Sequence, residues 1–409
     1  MRSPFREKIV IHSVPQSSTH YKSKPYFRVI FLKEIYLDNS ATTKVCPQAA
    51  QKALYMMTEV YGNPSSLHTM GYLAQKEVDA AREAIAHSLS AEKEEIVFTS
   101  GGTESNNMAL FGAAKALHRR GRKIVTTTVE HSSVLAAAQV LEKQGFEVVY
   151  LPVDAVGRVS VEQLAKAIDA QTIVVSMMAV NNETGTIQPI ETVQKLIDRA
   201  KSPALFHVDA VQAFGKLPIK VKKLGVDLLS VSSHKIHGPK GAGALYIRKG
   251  VRIVPLHYGG EQEKRIRPGT EAVPLLCAMG EAVRALPNMH EEWQQMQKLN
   301  TYLRERLAGM PHVVVNSSED GLPYILNVSV VGIRSETMLH RLAEKGIYVS
   351  SGSACAKGQK SHVLLAMGLP QERIESALRI SFSRDTTREE LERFCEELEN
   401  ADQTLARSR

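Results

Sequence analysis

The stretch Ser232-Ser233-His234-Lys235 sets a lysine beside a histidine and two hydroxyls, just after the apolar run Val226-Asp227-Leu228-Leu229. The turn that follows, Gly238-Pro239-Lys240-Gly241-Ala242-Gly243, is rich in glycine and keeps the chain close to the strand end. A lysine fixed there is partly desolvated, its pKa falls, and the free amine can condense with an aldehyde as a Schiff base. Exposed lysines are common, so the string acquires meaning only from its company. Upstream, Phe206-His207-Val208-Asp209 reads as an apolar strand that delivers an aspartate at its carboxyl end. Aspartate there is also a favoured helix cap. Paired with a lysine at a neighbouring strand end, it fits a second task, holding a proton on a pyridine nitrogen so that the ring becomes an electron sink. An aldehyde on a pyridine ring is the reactive part of pyridoxal phosphate.

Such a cofactor carries a phosphate, and Val97-Phe98-Thr99-Ser100-Gly101-Gly102-Thr103-Glu104-Ser105-Asn106-Asn107 has the composition of a cradle for one. A short apolar strand runs into two glycines that permit close backbone approach, then into a helix whose free N–H groups and dipole attract an anion. The spacing is neither that of a Walker loop nor G-x-G-x-x-G. His131, in Val129-Glu130-His131-Ser132-Ser133, stands at a helix start. A histidine there needs only one hydrogen-bond partner, and its role follows from the neighbouring motifs.

The four cysteines form neither a disulfide framework nor a C-x-x-C pair. Cys277, within Pro274-Leu275-Leu276-Cys277-Ala278-Met279, reads as a small buried hydrophobe, and Cys46 and Cys395 as structural or incidental. Cys355 differs. Its surroundings, Ser350-Ser351-Gly352-Ser353-Ala354-Cys355-Ala356-Lys357-Gly358, cannot build a core and read as a mobile surface loop, and Lys357 favours the thiolate.

These pieces run in order with Tyr36-Leu37-Asp38-Asn39-Ser40-Ala41-Thr42-Thr43, Gly62-Asn63-Pro64-Ser65-Ser66, Asn181-Asn182-Glu183-Thr184-Gly185 and Arg267-Pro268-Gly269-Thr270, from about residue 34 to about residue 390. The chain resembles the cysteine desulfurases of the NifS/IscS type, within the class V aminotransferase-like enzymes of pyridoxal phosphate fold-type I. The resemblance implies that Lys235 carries the cofactor, Asp209 pairs with the pyridine nitrogen, and His131 stacks on the ring and assists proton transfer. Asn182 and Gln212 would bond the ring oxygen, while Gly102, Thr103, Ser232 and His234 hold the phosphate, helped by Thr270 from the second subunit of a homodimer. Asn39, Asn182 and Arg379 would meet the substrate, Arg379 through its carboxylate.

The same resemblance implies that Cys355 takes the sulfur of L-cysteine as a persulfide, leaving alanine, and passes it to an acceptor protein, an iron–sulfur scaffold or a tRNA-thiolation enzyme. It implies no resident metal, with Cys355 at most a transient iron–sulfur ligand. The stretch after Cys355 is a little short and the tail Asp402–Arg409 lacks an obvious partner-binding extension, so the expectation concerns persulfide formation more than its transfer to a scaffold. A selenocysteine lyase or a cysteine sulfinate-type β-eliminating relative is the alternative on the same scaffold. A structural or regulatory partner without cofactor is the reading from another class, and Lys235 with Asp209 argues against it.

A chain of 409 residues, 43% hydrophobic and 23% charged, can bury a large core in two domains. No apolar run reaches ~18 residues, so no membrane-spanning helix is expected. The net charge of +8 is not a nucleic-acid footprint, because residues 1–33 hold seven Lys/Arg against Glu7, a charge of +6, which leaves +2 for the rest. That segment has no amphipathic helix and contains Pro4, Pro15 and Pro25; it reads as a disordered or artefactual leader of a cytoplasmic protein in preference to a targeting signal.

Delivering Asp209 and Lys235 to one place requires strands that run side by side. The apolar runs Ile124–Val129, Glu147–Leu151, Thr172–Met178, Leu205–Val208 and Leu228–Val231 alternate with helical segments Ser133–Lys143, Val161–Ala170 and Ile190–Ala200. This pattern predicts an α/β fold with a mainly parallel sheet between helices and ligands at the strands' carboxyl ends; the resemblance makes the sheet seven-stranded. That large domain would span 48–289. A smaller α+β domain at 290–409 would follow, entered by the helix His290–Leu307 and carrying the Cys355 loop, with 34–47 packing back on it.

Overall fold

Between Ile96 and Ile247 the branched apolar runs become strands, and the inner ones are buried along almost their whole length, as strands covered on both faces must be. In chain order they are β1 (Ile96–Thr99), β2 (Lys123–Thr127), β3 (Glu147–Leu151), β4 (Thr172–Met178), β5 (Leu205–Asp209), β6 (Leu228–Ser232) and β7 (Gly243–Ile247). They form one seven-stranded sheet in the order β1-β7-β6-β5-β4-β2-β3, in which only β7 runs antiparallel to its neighbours. The register sets Met178 opposite Asp209 and Asp209 opposite Ser230, so β4, β5 and β6 end at one edge of the sheet. This computed structural model describes residues 8–12, 28–32, 34–352 and 360–407.

Two elements end two or more residues earlier than the apolar pattern predicts. β2 stops at Thr127 because the Thr127 hydroxyl donates to Glu130 Oε1 at 2.9 Å and accepts from the Val129 N–H, folding the chain into a turn. The helix that begins at Val161 stops at Ala167, not Ala170, because the Asp169 carboxylate draws the Gln171 N–H and the Thr172 hydroxyl into a local turn.

β1 is an edge strand, and a charged pair covers it. Arg82 donates to the Ile96 carbonyl at 2.8 Å, Glu263 accepts from the Phe98 N–H at 2.8 Å, and the two side chains meet in a fork with both N···O distances at 2.7 Å. An edge with its free groups occupied does not template further pairing.

After the helix Met289–Ala308 the chain builds a three-stranded antiparallel sheet from β8 (Val313–Val315), β9 (Ile325–Val330) and β10 (Ala377–Ser381), in the order β8-β9-β10. The N-terminal segment returns here: Ile35–Tyr36 pairs in parallel with Ile347–Tyr348. Within residues 1–33, Lys8–His12 and Arg28–Leu32 pair antiparallel as a separate two-stranded sheet, a pairing not expected from the segment's composition. Cys46, Cys277 and Cys395 are buried and free, and burial pushes the Cys277 thiol up to about 12. No helix among the described residues is long and apolar enough to cross a membrane.

Candidate active site

A cavity of about 220 Å³ opens where β4, β5 and β6 end. Gly102, Thr103, His131, Asn182, Asp209, Gln212, Ser232, His234, Lys235 and Arg379, all singled out in the sequence, line it together. Asn39 and Thr270 are not among its lining residues, and Cys355 lies outside the described residues.

Lys235 ends a single tight turn, Ser233–Lys235, that follows β6 directly. Its Nζ donates to the carbonyls of Ser40 and, at 3.0 Å, Ala41. Burial pushes the ammonium from 10.5 down to about 7, with Arg379 and then Lys216 adding repulsion, so a large share of the amine is free base near neutrality. The wall that receives it is held in place from several sides. Asn39 Nδ2 donates to the carbonyls of Tyr36 and Ser381 at 3.2 and 2.9 Å, the Ser40 N–H to Ser381 Oγ at 2.9 Å, and Gln212 Nε2 to the Ser40 carbonyl at 3.0 Å. Asn39 Nδ2 thus helps to position the Ser40–Ala41 backbone.

Asp209 is equally fixed. Oδ1 accepts from the Val211 N–H at 3.0 Å and Oδ2 from Asn106 Nδ2 at 2.7 Å. Asn106 also donates to Ser133 Oγ at 2.9 Å, and Ser133 Oγ meets His131 Nδ1 at 2.8 Å. One hydrogen-bonded chain thus ties the aspartate to the imidazole. Burial lowers the His131 pKa, which favours the neutral ring. In the sequence Asn106 and Ser133 stand only as parts of motifs; the sign that could single out Asn106 is a polar residue on the buried face of the helix Gly102–Leu117.

The opposite end of the cavity suits an anion. The helix Gly102–Leu117 starts at Gly101 with no side-chain cap, leaving its first N–H groups unspent. Gly101 has φ 151°, a left-handed value that glycine alone adopts readily, and a Cβ on Gly102 would lie 2.6 Å from Val211 Cγ2. Ser232 Oγ, His234 Nδ1 and Gln212 Oε1 are buried without a partner. Each such atom costs about 1–3 kcal/mol when unpaired, so several around one cavity point to polar ligand atoms. Arg379, on β10, is 1% exposed; Nη1 donates to the Asn182 carbonyl at 3.0 Å, Nη2 pairs with Asp38 at 2.8 Å, and Nε has no partner.

Comparison with known proteins bears on what this cavity does. The aminotransferase class-V family matches residues 35–394, a span that includes every lining residue. A protein named cysteine desulfurase IscS from Methanosarcina thermophila is 46% identical over 368 residues, covering 89% of this chain and 91% of that one. The chain belongs to the aminotransferase class-V family, as an enzyme of the cysteine desulfurase type. Among solved structures, a NifS-like protein superposes on the desulfurase with a TM-score of 0.87 at 40% identity, covering 91% of this chain and all 100% of its own. Another, described as SspA in complex with cysteine, gives a TM-score of 0.76 at 35% identity, over 85% of this chain and 98% of its own.

Beneath the cavity the desulfurase carries two buried titratable groups that sequence reasoning missed. His207 lies two residues before Asp209 on the same face of β5; its ring nitrogens meet Ser176 Oγ at 2.8 Å and Ser230 Oγ at 3.0 Å, and burial lowers its pKa to about 4. Glu130 adjoins His131 and is fully buried, which pushes its carboxyl up to about 8. Among the described residues no cluster of three or more His, Cys, Asp or Glu could hold a metal ion.

Proposed function

We propose that the desulfurase uses pyridoxal phosphate on Lys235 to convert L-cysteine to L-alanine, with the sulfur taken by Cys355 as a persulfide. The observation that carries this reading is the convergence on one cavity of a buried lysine amine, a doubly hydrogen-bonded carboxylate and several buried polar atoms without partners. Those residues fit the cofactor. Ser232 Oγ, His234 Nδ1, Thr103 and the uncapped helix start at Gly102 would hold the phosphate, Gln212 and Asn182 the ring oxygen, and Asp209 a proton on the ring nitrogen. When bound, the cofactor supplies an electron sink for charge developing at the substrate α-carbon.

The chain's own residues do the rest. Asn182 and Asp38 hold Arg379 by its two terminal nitrogens, which fixes the guanidinium where it can meet the substrate carboxylate. His131, oriented by Ser133 and kept neutral by burial, can accept a proton from the substrate. Lys235, poised near neutrality, can move a proton at the α-carbon. Cys355 then attacks the substrate sulfur; the carbon–sulfur bond breaks, a sulfur–sulfur bond forms, and hydrogen returns to the carbon skeleton. L-cysteine and one thiol become L-alanine and one persulfide, with no external oxidant or reductant.

The reading extends to a homodimer in which Thr270, exposed on its own chain, reaches the phosphate of the second copy. The persulfide would go to a sulfur-acceptor protein, an iron–sulfur scaffold or a tRNA-thiolation enzyme, in the cytoplasm, where free thiols stay reduced. Two variants test it together. Purified enzyme should show a visible absorption band that borohydride bleaches, and Lys235→Ala should lack it. Cys355→Ser should keep the band yet release almost no alanine from L-cysteine. A reducible band in the first variant would assign the cofactor to another lysine, and full alanine release by the second would mean that sulfur leaves by elimination.

A further inference from the structure

Lys235 lines two cavities. One is the site described above; the other lies behind it, about 20 Å³ in size, and shares walls from Lys216, His237, Glu292, Tyr324 and Arg384. That is room for about one water molecule. Lys216, in the turn after β5, is only 9% exposed, and nothing in the proposed chemistry uses it. Its Nζ stands 5.5 Å from the centre of the Tyr324 ring, and no described residue accepts a hydrogen bond from it. A buried ammonium without a bonded counter-ion is costly, so its place behind the reactive lysine calls for a reason.

The charges around it come from several elements. Burial pushes the Lys216 ammonium from 10.5 down to about 8, while Glu292, on the helix Met289–Ala308, attracts it and Arg379 repels it. Arg384, beyond β10, donates to the Ala285 carbonyl at 2.7 Å and adds a second cation. His237 meets the Lys44 carbonyl at 3.0 Å, and burial lowers its pKa to about 4, which leaves the ring neutral. On the side of the main cavity, Lys235 feels Arg379 and Lys216 as repulsion and Asp38 and Asp209 as attraction, and His234 beside it is neutral, burial having lowered its pKa to about 4. Of the two repelling cations, Arg379 is already paired with Asp38 and would be neutralised further by a substrate carboxylate. Lys216 is farther from any such neutralising group, and with its own pKa at about 8 it still carries most of its charge at the pH where Lys235 titrates.

We propose that Lys216 is a positioning residue for Lys235: a positive charge behind the reactive amine that turns it away from the rear cavity and favours its uncharged, nucleophilic form. The proposal rests on Lys235 being the lysine that takes the cofactor. Nearby cations activate amines in this way whenever solvent does not screen them.

The test is competitive acetylation of the full-length, cofactor-free chain with trace acetic anhydride from acidic to alkaline pH, with modification of Lys235 quantified by mass spectrometry. In wild type the reactivity of Lys235 should rise with a midpoint of about 7. In Lys216→Met the midpoint should move up by about one pH unit, and in Lys216→Arg, which keeps the charge, it should stay at the wild-type value. An unmoved midpoint in a Lys216→Met protein that melts like wild type would overturn the proposal, and so would an equal upward shift in Lys216→Arg. If the methionine variant does not fold, Lys216→Gln must show the same upward shift for the proposal to stand. Borohydride trapping on the holoenzyme separates the two failures: cofactor trapped on Lys235 with an unmoved midpoint sinks this inference alone, whereas cofactor trapped elsewhere sinks the reading of the site as well.

Discussion

Glu130 meets two donors, Thr127 Oγ1 and the Met178 N–H, both at 2.9 Å and both on Oε1, while Oε2 is buried without a partner. Burial outweighs those two bonds, and the nearby Asp209 charge acts in the same direction, so the carboxyl rises from 4.5 to about 8. The sign of its effect on stability follows. Between about 4.5 and about 8 the folded chain keeps a proton that the unfolded chain has released, so stability falls as pH rises through that window. Glu130→Gln has no such proton to lose. Urea unfolding at both ends of the window should therefore show the glutamine variant gaining on wild type as pH rises; a pH-independent difference would mean that Glu130 ionises inside the fold without penalty. The neutral acid also spares His131 and Asp209 a second negative charge beneath the site.

At the scale of elements, the edge strand β1 shapes the phosphate end, because it leads straight into Gly101 and the helix Gly102–Leu117. What holds β1 in place is the Arg82–Glu263 fork, whose side chains are 15% and 4% exposed. Arg82 also stacks its guanidinium 4.6 Å from the centre of the Phe98 ring. Removing one member of a buried pair leaves the other charge unpaired, at a cost of about 3–5 kcal/mol. Glu263→Ala should lower the unfolding free energy by about 3 kcal/mol and also weaken cofactor retention, since the strand end can then drift. Thermal melts and equilibrium dialysis of the cofactor would read the two effects. A variant that melts like wild type would show that the fork is solvated and β1 is held by β7 alone.

For the whole molecule, the apolar side chains left outside matter most. Leu54, Met57, Tyr61, Leu67 and Tyr72 are 56–105% exposed and all belong to the helices Pro47–Thr58 and Thr69–Leu89 or to the link between them. Large apolar side chains exposed within so short a stretch of chain suit an interface, and the most common closed assembly is a two-fold dimer. With Thr270 exposed, a second copy could complete the phosphate end. Light scattering should give a dimer, and dilution that splits it should release cofactor in step. A monomer that kept its cofactor and full turnover would exclude a shared site.

Lys235, Asp209 and the Gly101-Gly102 turn were legible in the sequence because their chemistry demands particular residue types at strand ends, and strands declare themselves by local apolar runs. The parallel sheet followed for the same reason, from strands and helices taking turns. The burial of Cys277 was legible too, since it sits in the apolar stripe of its own helix. The wall that receives Lys235 was not. Ser40 and Lys235 are 195 residues apart, Asn39 and Ser381 342, and Asp38 and Arg379 341, and no local periodicity encodes which carbonyl meets which donor across such distances. The chain from Asp209 through Asn106 and Ser133 to His131, the second task of Asn39 and the placement of Lys216 behind Lys235 depend likewise on how the helices settle on the sheet and how the β8–β10 region closes over its edge. Residue types are chosen one position at a time and can be read so; hydrogen-bond partners are chosen by packing, which exists only once the layers meet.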